Sequence, residues 1–298
     1  MARTRRGNPI HGWLNIDKPV GRTSAQVVGA VKRIMNAQKA GHAGTLDPFA
    51  TGVLPIALGE ATKTAGYIVD DTKEYRFTAR WGEARNTDDI EGEITATSPK
   101  RPTDNDILAI LPDFTGTISQ CPPAFSAIKI KGERAYKLAR AGAELDMPER
   151  NVHIVALELV HHIDEDHSVF DVTCGKGTYI RSLARDMAIK LGTVAHLTAL
   201  RRTRVGPFLQ KYAISLDKLE KLWQCPAEFE DLLPITTALD DIPALAMTEP
   251  EANRLRHGND VAAPDQADGI VCAMAGKTPI GIAKIKDERL FPVRIFNI

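Results

Sequence analysis

The sequence predicts an α+β protein built on a central mixed, largely antiparallel sheet flanked by helices, with a small β-rich domain at the C-terminus. Three observations carry this. Residues 75–81 alternate over a full strand length, with Tyr75, Phe77, Ala79 and Trp81 on one face and Arg76, Thr78 and Arg80 on the other. Residues 152–160 and 168–174 flank an acidic turn as a hairpin does, and the helical pattern that follows them is not part of a repeating βαβ unit. Beyond residue 269 come three short apolar runs, 270–275, 280–286 and 291–296, close enough in sequence to form a small sheet of their own. A chain of 298 residues can hold one large and one small domain, and the change of texture places them at 1–240 and 241–298.

Each element has its own signal. Thr23 and Ser24 are helix-capping residues, and Val27, Val28, Val31, Ile34 and Met35 follow at helical spacing, which predicts a helix over 24–36. It delivers the chain to residues 41–54, where Gly41, Gly44 and Gly52 permit unusual backbone angles and Pro48 disfavours the helical conformation for Asp47. This stretch reads as a loop, the kind of segment on which catalytic groups are often mounted. Thr103 caps a helix bearing Ile107, Leu108, Ile110 and Leu111 and ended near Pro112. In the hairpin, Phe170, Val172 and Cys174 share a face, and Asp164-Glu165-Asp166 make the turn. From Thr178 the pattern becomes helical: Ile180, Leu183, Ala184, Met187, Ala188 and Leu191 form a stripe that Gly192 stops, so Tyr179 and Arg181 fall at the helix start. Residues 233–250 are acidic and turn-rich, and 249–257 read as a short helix stopped by Gly258.

Composition excludes several classes. With 43% hydrophobic and 26% charged residues, and no apolar run near the ~18 residues of a membrane span, the chain reads as soluble. Its basic start leads into His11-Gly12-Trp13 rather than an apolar signal core, so the expected location is cytoplasmic. Cys121, Cys174, Cys225 and Cys272 lie far apart with no C-x-x-C pair, which fits reduced, buried thiols. A formal net charge of zero hides asymmetry: residues 1–39 carry eight Lys and Arg against Asp17, residues 174–211 carry eight against Asp186, and 216–251 are strongly acidic. Two basic segments converging on one face would suit an anionic polymer, although each alone reads as solvated surface.

Asp47 is the only acidic residue between Asp17 and Glu60, and its window holds Lys18, Arg22, Lys32, Arg33, Lys39 and His42. An Asp before Pro is most often a turn former, and on spacing alone that reading leads. The absence of neighbouring acids favours the other: an ionised carboxylate serves as nucleophile or base when a cation orients it, and Arg181 is the candidate partner. Tyr75 opens an apolar strand face and fits core packing, yet such rings also stack on splayed bases; Tyr179 beside Arg181 leans towards a ligand. His42, between two small residues, reads as exposed. Gly276-Lys277-Thr278 resembles the end of a P-loop, but Val271 stands where the motif needs glycine. His161, His162 and Asp164 to His167 hold metal-ligand types but fit a polar hairpin turn, and a glycosidase would need a second carboxylate that the loop lacks.

These residues lie in blocks that resemble the TruB family of bacterial tRNA pseudouridine synthases, which convert uridine 55 of the tRNA T-loop to pseudouridine. The likeness runs from Gly12-Trp13-Leu14-Asn15-Ile16-Asp17-Lys18-Pro19-Val20-Gly21-Arg22-Thr23-Ser24 through residues 41–63, then Lys73-Glu74-Tyr75-Arg76-Phe77, Pro122-Pro123-Ala124-Phe125-Ser126-Ala127-Ile128-Lys129, Gly177-Thr178-Tyr179-Ile180-Arg181-Ser182-Leu183 and Leu200-Arg201-Arg202-Thr203-Arg204-Val205-Gly206-Pro207-Phe208. It implies a pseudouridine synthase fold and an isomerase with neither metal nor organic cofactor, whose Asp47 starts the reaction by attack at C1′, attack at C6 or loss of the C2′ proton. Arg181 would pair with Asp47. Tyr75 would stack on the target base, Tyr179 and Leu200 would line its pocket, and His42 would fill the gap left by the flipped base. Lys18 is placed with the binding residues, supporting the loop. The implied partner is the tRNA T-arm, with no membrane and no protein partner, for a monomer; residues 241–298 would be a PUA-like RNA-binding domain. The alternative of another class is a non-catalytic tRNA-binding or tRNA-folding protein.

Overall fold

The computed structural model describes residues 7–126, 128–130, 132–143, 145–225 and 229–298. Arg3, Arg5 and Arg6 of the first basic segment, Glu228 of the acidic one and Ala127 of the fourth block lie outside the described residues.

A nine-stranded sheet organises the larger part of the chain, in the order Gly12–Lys18, Thr51–Leu58, Ala195–Val205, Lys73–Trp81, His167–Cys174, Arg150–His162 and Gly116–Gln120, with Ala40–His42 and Phe208–Leu209 added at the sides. One ladder is parallel, joining Thr51–Leu58 to Ala195–Val205 through Thr51 with Arg201 and Gly52 with Arg202; the others are antiparallel. The sheet is mixed and largely antiparallel, as the strand patterns predict.

Alternation puts Phe77, Ala79 and Trp81 into the core, where Phe77 stacks on Phe170 at 5.1 Å and Trp81 meets Phe170 edge-on at 6.2 Å. The Trp81 indole N–H donates to Ser168 Oγ at 2.6 Å, which satisfies the polar atom such burial would otherwise strand. Helices Ser24–Ile34, Asp104–Ile110, Ile180–Lys190 and Leu216–Leu222 pack their apolar faces into the same core. The first carries a full capping box between Thr23 and Gln26 and ends before Asn36, whose φ of 48° turns the chain out of the helix. Gly192, at φ 70°, stops Ile180–Lys190 at the expected place.

A second sheet runs Ala244–Ala246, Gly269–Ala275, Thr278–Lys286, Arg289–Ile295 and Val261–Ala262, with helix Glu249–Arg256 packed on it through Ala252 and Leu255. Its Cys272, Ile282 and Phe296 share an apolar cluster with Trp13, Val53, Phe208 and Leu239 of the larger part. Polar contacts seal the seam: Lys63 Nζ donates to the Ile295 carbonyl at 2.6 Å and Glu60 Oε2 accepts the Asn297 N–H at 2.9 Å. Gly276-Lys277, the P-loop look-alike, is the tight turn between two of these strands. Of the four thiols expected to be buried, Cys174 and Cys272 are, whereas Cys121 is half-buried and Cys225 exposed.

Candidate active site

Residues 41–54 are less of a loop than their glycines suggest. Ala40–His42 and Thr51–Leu58 are paired strands, so the turn that carries Asp47 is confined to 43–50. Three side chains shape it. The Ser24 hydroxyl accepts from the Leu46 N–H at 2.9 Å and donates to the Leu46 carbonyl at 3.0 Å. Lys18, wholly buried, donates from Nζ to the carbonyls of Pro19 at 2.9 Å, Pro48 at 3.1 Å and Ala50 at 2.6 Å. Arg202, also buried, donates from Nε to the Val53 carbonyl at 2.8 Å and from Nη2 to the Gly44 carbonyl at 2.9 Å. Gly52 must be glycine: its φ is 100° and a Cβ would stand 2.2 Å from the Arg202 carbonyl oxygen.

The turn presents Asp47 to Arg181, delivered by the first turn of helix Ile180–Lys190. Arg181 Nη2 lies 2.9 Å from Asp47 Oδ2, and Nη1 lies 3.2 Å from Asp89 Oδ2. The same guanidinium donates to the carbonyls of Thr87 at 2.8 Å and Phe125 at 2.9 Å, so it is fixed from four sides. Burial pushes the Asp47 carboxyl above its ordinary pKa; Arg181 pulls against this and Asp89 adds to it. Asp47 is therefore alone only in sequence. Asp89, a second carboxylate, was invisible to sequence reasoning because no local pattern announces which distant loop will reach Arg181.

Asp47, Tyr75, Tyr179, Arg181 and Leu200 line a single cavity of about 230 Å³. Among the described residues Asp47 is the sole carboxylate on its wall, against Lys73, Arg150, Lys176, Arg181 and Arg202. Tyr179 is held by Gln120, whose Oε1 accepts the Tyr179 N–H at 2.8 Å and whose Nε2 donates to the Tyr179 carbonyl at 3.1 Å; the Arg150 guanidinium sits 4.7 Å from the ring centroid. Burial raises the pKa of the Tyr75 hydroxyl, Arg202 opposing by charge and hydrogen bonding, so the phenol is protonated at neutral pH. On the other side of the Asp47 turn lies a larger cavity of about 610 Å³, bordered by His42, Asp89, Glu91, Phe125, Tyr136 and Arg140, with Asp47 and Arg181 in the walls of both.

Two expectations change. His42 is half-buried rather than exposed and borders only the larger cavity; burial, then Arg202, hold its imidazole below the usual pKa. Lys18 borders neither cavity, and its three bonds all go to backbone carbonyls around the Asp47 turn, which it supports. Burial pushes its amine down to about 8, with Asp47 acting in the opposite sense.

The two basic segments are also unequal. In the second, Lys176 pairs with Asp70, Arg185 with Asp88 and Asp186, Lys190 with Asp113, Arg201 with Asp17 and Arg204 with Glu74, so most of its charge is answered within the protein. Arg22, Lys32, Arg33 and Lys39 of the first are exposed and make no ion pair among the described residues. Lys32 and Arg33 lie in the last turn of helix Ser24–Ile34 and Arg22 and Lys39 flank it, while its N-cap Thr23 and first residues Ser24 and Ala25 border the larger cavity.

Comparison with known proteins gives matches along most of the chain. Three family descriptions match in succession: the TruB family pseudouridylate synthase N-terminal domain over residues 32–180, the tRNA pseudouridylate synthase B C-terminal domain over 181–241, and the pseudouridine synthase II TruB C-terminal region over 243–296. The chain is 53% identical to the tRNA pseudouridine synthase B of Gluconacetobacter diazotrophicus, covering 98% of this chain and 99% of that one. It is 51% identical to the protein of the same name from Bradyrhizobium diazoefficiens, covering 100% and 91%. Among solved structures, a chain of a Cbf5-Nop10-Gar1 complex superposes with a TM-score of 0.75 at 26% identity, covering 96% of this chain and 85% of that one.

Proposed function

The chain belongs to the TruB family, is a tRNA pseudouridine synthase and hence an isomerase, and from that premise we propose that it acts on uridine 55 of the tRNA T-loop with Asp47 as the catalytic carboxylate. The observation that carries the reading is Asp47 itself: among the described residues, the one carboxylate on the wall of a cation-lined cavity, oriented by Arg181 at 2.9 Å. Arg181 favours the ionised form that each of the three possible first steps requires, whether attack at C1′, attack at C6 or removal of the C2′ proton. The N1–C1′ bond then breaks, the base turns while held, and C5 bonds to C1′.

Tyr75 stacks on the base, Tyr179 and Leu200 bound its pocket, and Lys18 holds the Asp47 turn in place. A T-loop base must first leave its stack, at a cost of a few kcal/mol, and His42 fills the space it vacates. Arg22, Lys32, Arg33 and Lys39 meet T-arm phosphates, so affinity falls with salt. Residues 1–240 form the catalytic part and 241–298 a PUA-like RNA-binding domain. The enzyme works alone in the cytoplasm, as a monomer.

Carbodiimide-adduct mapping of tRNA incubated with the protein is the deciding experiment. A reverse-transcription stop at the T-loop uridine is expected with wild-type protein and not with Asp47→Asn, while the variant keeps its RNA affinity. RNA binding by the wild type with no such stop would instead identify a tRNA-binding or tRNA-folding protein.

A further inference from the structure

Arg202 is among the largest fully buried side chains of the protein, at 1% exposure, and it makes no ion pair among the described residues. A buried guanidinium without an anion is costly, and proteins keep one only where something compensates it. Its neighbours aggravate the imbalance. Lys73, also buried, shares the cavity wall, and the direct cross-strand partner of Arg202 is Tyr75, a phenol that burial keeps protonated and that brings no negative charge. The side chain is nevertheless fixed, by the Val53 carbonyl at 2.8 Å and the Gly44 carbonyl at 2.9 Å. Its position is fixed too, since residue 202 sits at the parallel junction of the sheet with Tyr75 on one side and Gly52 on the other. The result is an immobile, uncompensated positive charge on the wall of the cavity that Asp47 faces.

The chemistry of the proposed reaction supplies the missing anion. If Asp47 attacks C1′ or removes the C2′ proton, the electron pair of the N1–C1′ bond leaves with the base, which becomes uracilate with its charge spread over O2 and O4. If Asp47 adds to C6, the pair entering the ring forms an enolate on O4. In each case the pair later forms the C5–C1′ bond, the C5 proton passes to solvent, N1 gains a proton, and Asp47 is freed by breaking its bond to C1′ or C6 or by returning the proton to C2′. Negative charge on the base is common to all three routes. We propose that Arg202 stabilises the anionic base in the transition state, so that the cavity pairs Asp47, which acts at the sugar or ring, with a pre-placed cation for the charge that Asp47 releases. A fixed donor aimed at developing charge is worth most in such a water-poor site. This rests on the uridine-isomerase reading above.

The test compares wild type, Arg202→Lys and Arg202→Met in single-turnover reactions on two T-arm RNAs, one with uridine and one with 5-fluorouridine at the target position. Fluorine stabilises the uracil anion on its own, so it should substitute in part for Arg202. Consumption of the N1-linked nucleoside is followed, because the fluorinated carbon has no proton to lose. With uridine, Arg202→Met should slow turnover about 10²- to 10³-fold, Arg202→Lys less, and RNA affinity should stay within about threefold. With 5-fluorouridine the penalty of Arg202→Met should shrink by about tenfold. Equal penalties on both RNAs, or a loss confined to affinity, would mean that Arg202 only supports the fold. If Arg202→Met does not fold, the same comparison on Arg202→Lys decides. Wild-type turnover of the uridine RNA is the reference: its absence overturns the uridine-isomerase reading, whereas its presence with substrate-independent Arg202 penalties overturns this inference alone.

Discussion

Arg181 stands between two carboxylates, with Nη2 2.9 Å from Asp47 Oδ2 and Nη1 3.2 Å from Asp89 Oδ2. One cation shared by two acids cannot satisfy both, and the negative charge of Asp89 pushes the Asp47 pKa upwards. Asp89→Asn removes that push, leaves Arg181 to Asp47, and lowers the Asp47 pKa. The acid limb of the kcat/KM profile should therefore move to lower pH. At the plateau a less basic carboxylate should turn over about tenfold more slowly, with RNA affinity unchanged. An acid limb that stays in place would show that Asp89 does not tune Asp47.

Tyr75→Phe separates the ring from its hydroxyl. The phenol is protonated at neutral pH, held there by burial, and it belongs to a strand that sends Phe77, Ala79 and Trp81 of the same face into the core. Stacking survives in the variant, so the Kd for T-arm RNA should change by no more than about twofold while turnover falls by about tenfold. Parallel losses in both would assign the ring a purely structural role.

The contrast between Tyr75 and Asp89 shows what the sequence could and could not convey. Period-two alternation places Tyr75 beside Phe77 and Ala79, and period-3.6 spacing puts Arg181 in the first turn of its helix; both signals are local. Gly41 and Gly52 look like loop residues in the sequence, and for that reason the Asp47 turn reads longer there than it is. Gly52 is a strand residue whose missing Cβ admits the Arg202 backbone, a close approach that only tertiary packing defines. Arg202 was hidden among Arg201 and Arg204, though it lies two residues beyond Leu200 and so on the same face of a strand. That spacing was the available signal. The pairing of the second basic segment with Asp17, Asp70, Asp113 and Glu74 had none, since its partners come from across the fold.

Lys18 gives a prediction in pH. Burial lowers its amine to about 8, below the ordinary lysine value of 10.5. Below that pH the ammonium donates to three carbonyls around the Asp47 turn and favours the ionised Asp47; above it both effects weaken. The kcat/KM profile should fall on an alkaline limb near pH 8 that Lys18→Met lacks. Between that value and 10.5 the unfolded chain binds more protons at this residue than the folded one, so its contribution to stability rises with pH across the window, and Lys18→Met should lose that rise. Chemical denaturation at several pH values measures it. At neutral pH the variant should also be less stable by roughly 2 kcal/mol, from carbonyls left without donors.

The unequal basic segments predict where salt dependence originates. Cations already paired within the protein release few counterions on binding RNA, while free ones release about one each. Lys32 and Arg33 are exposed and make no ion pair among the described residues, whereas Lys190 holds Asp113 at 3.0 Å. Replacing Lys32 and Arg33 together by Gln should weaken T-arm binding and flatten the plot of log K against log salt by roughly 0.7–0.9 for each cation that meets a phosphate. The single-turnover rate at saturating enzyme should be unchanged, because neither residue touches the Asp47 cavity. Lys190→Gln should leave the slope as it was. A slope that responds to Lys190 and not to Lys32 and Arg33 would move the phosphate contacts to the other segment and leave helix Ser24–Ile34 as ordinary surface.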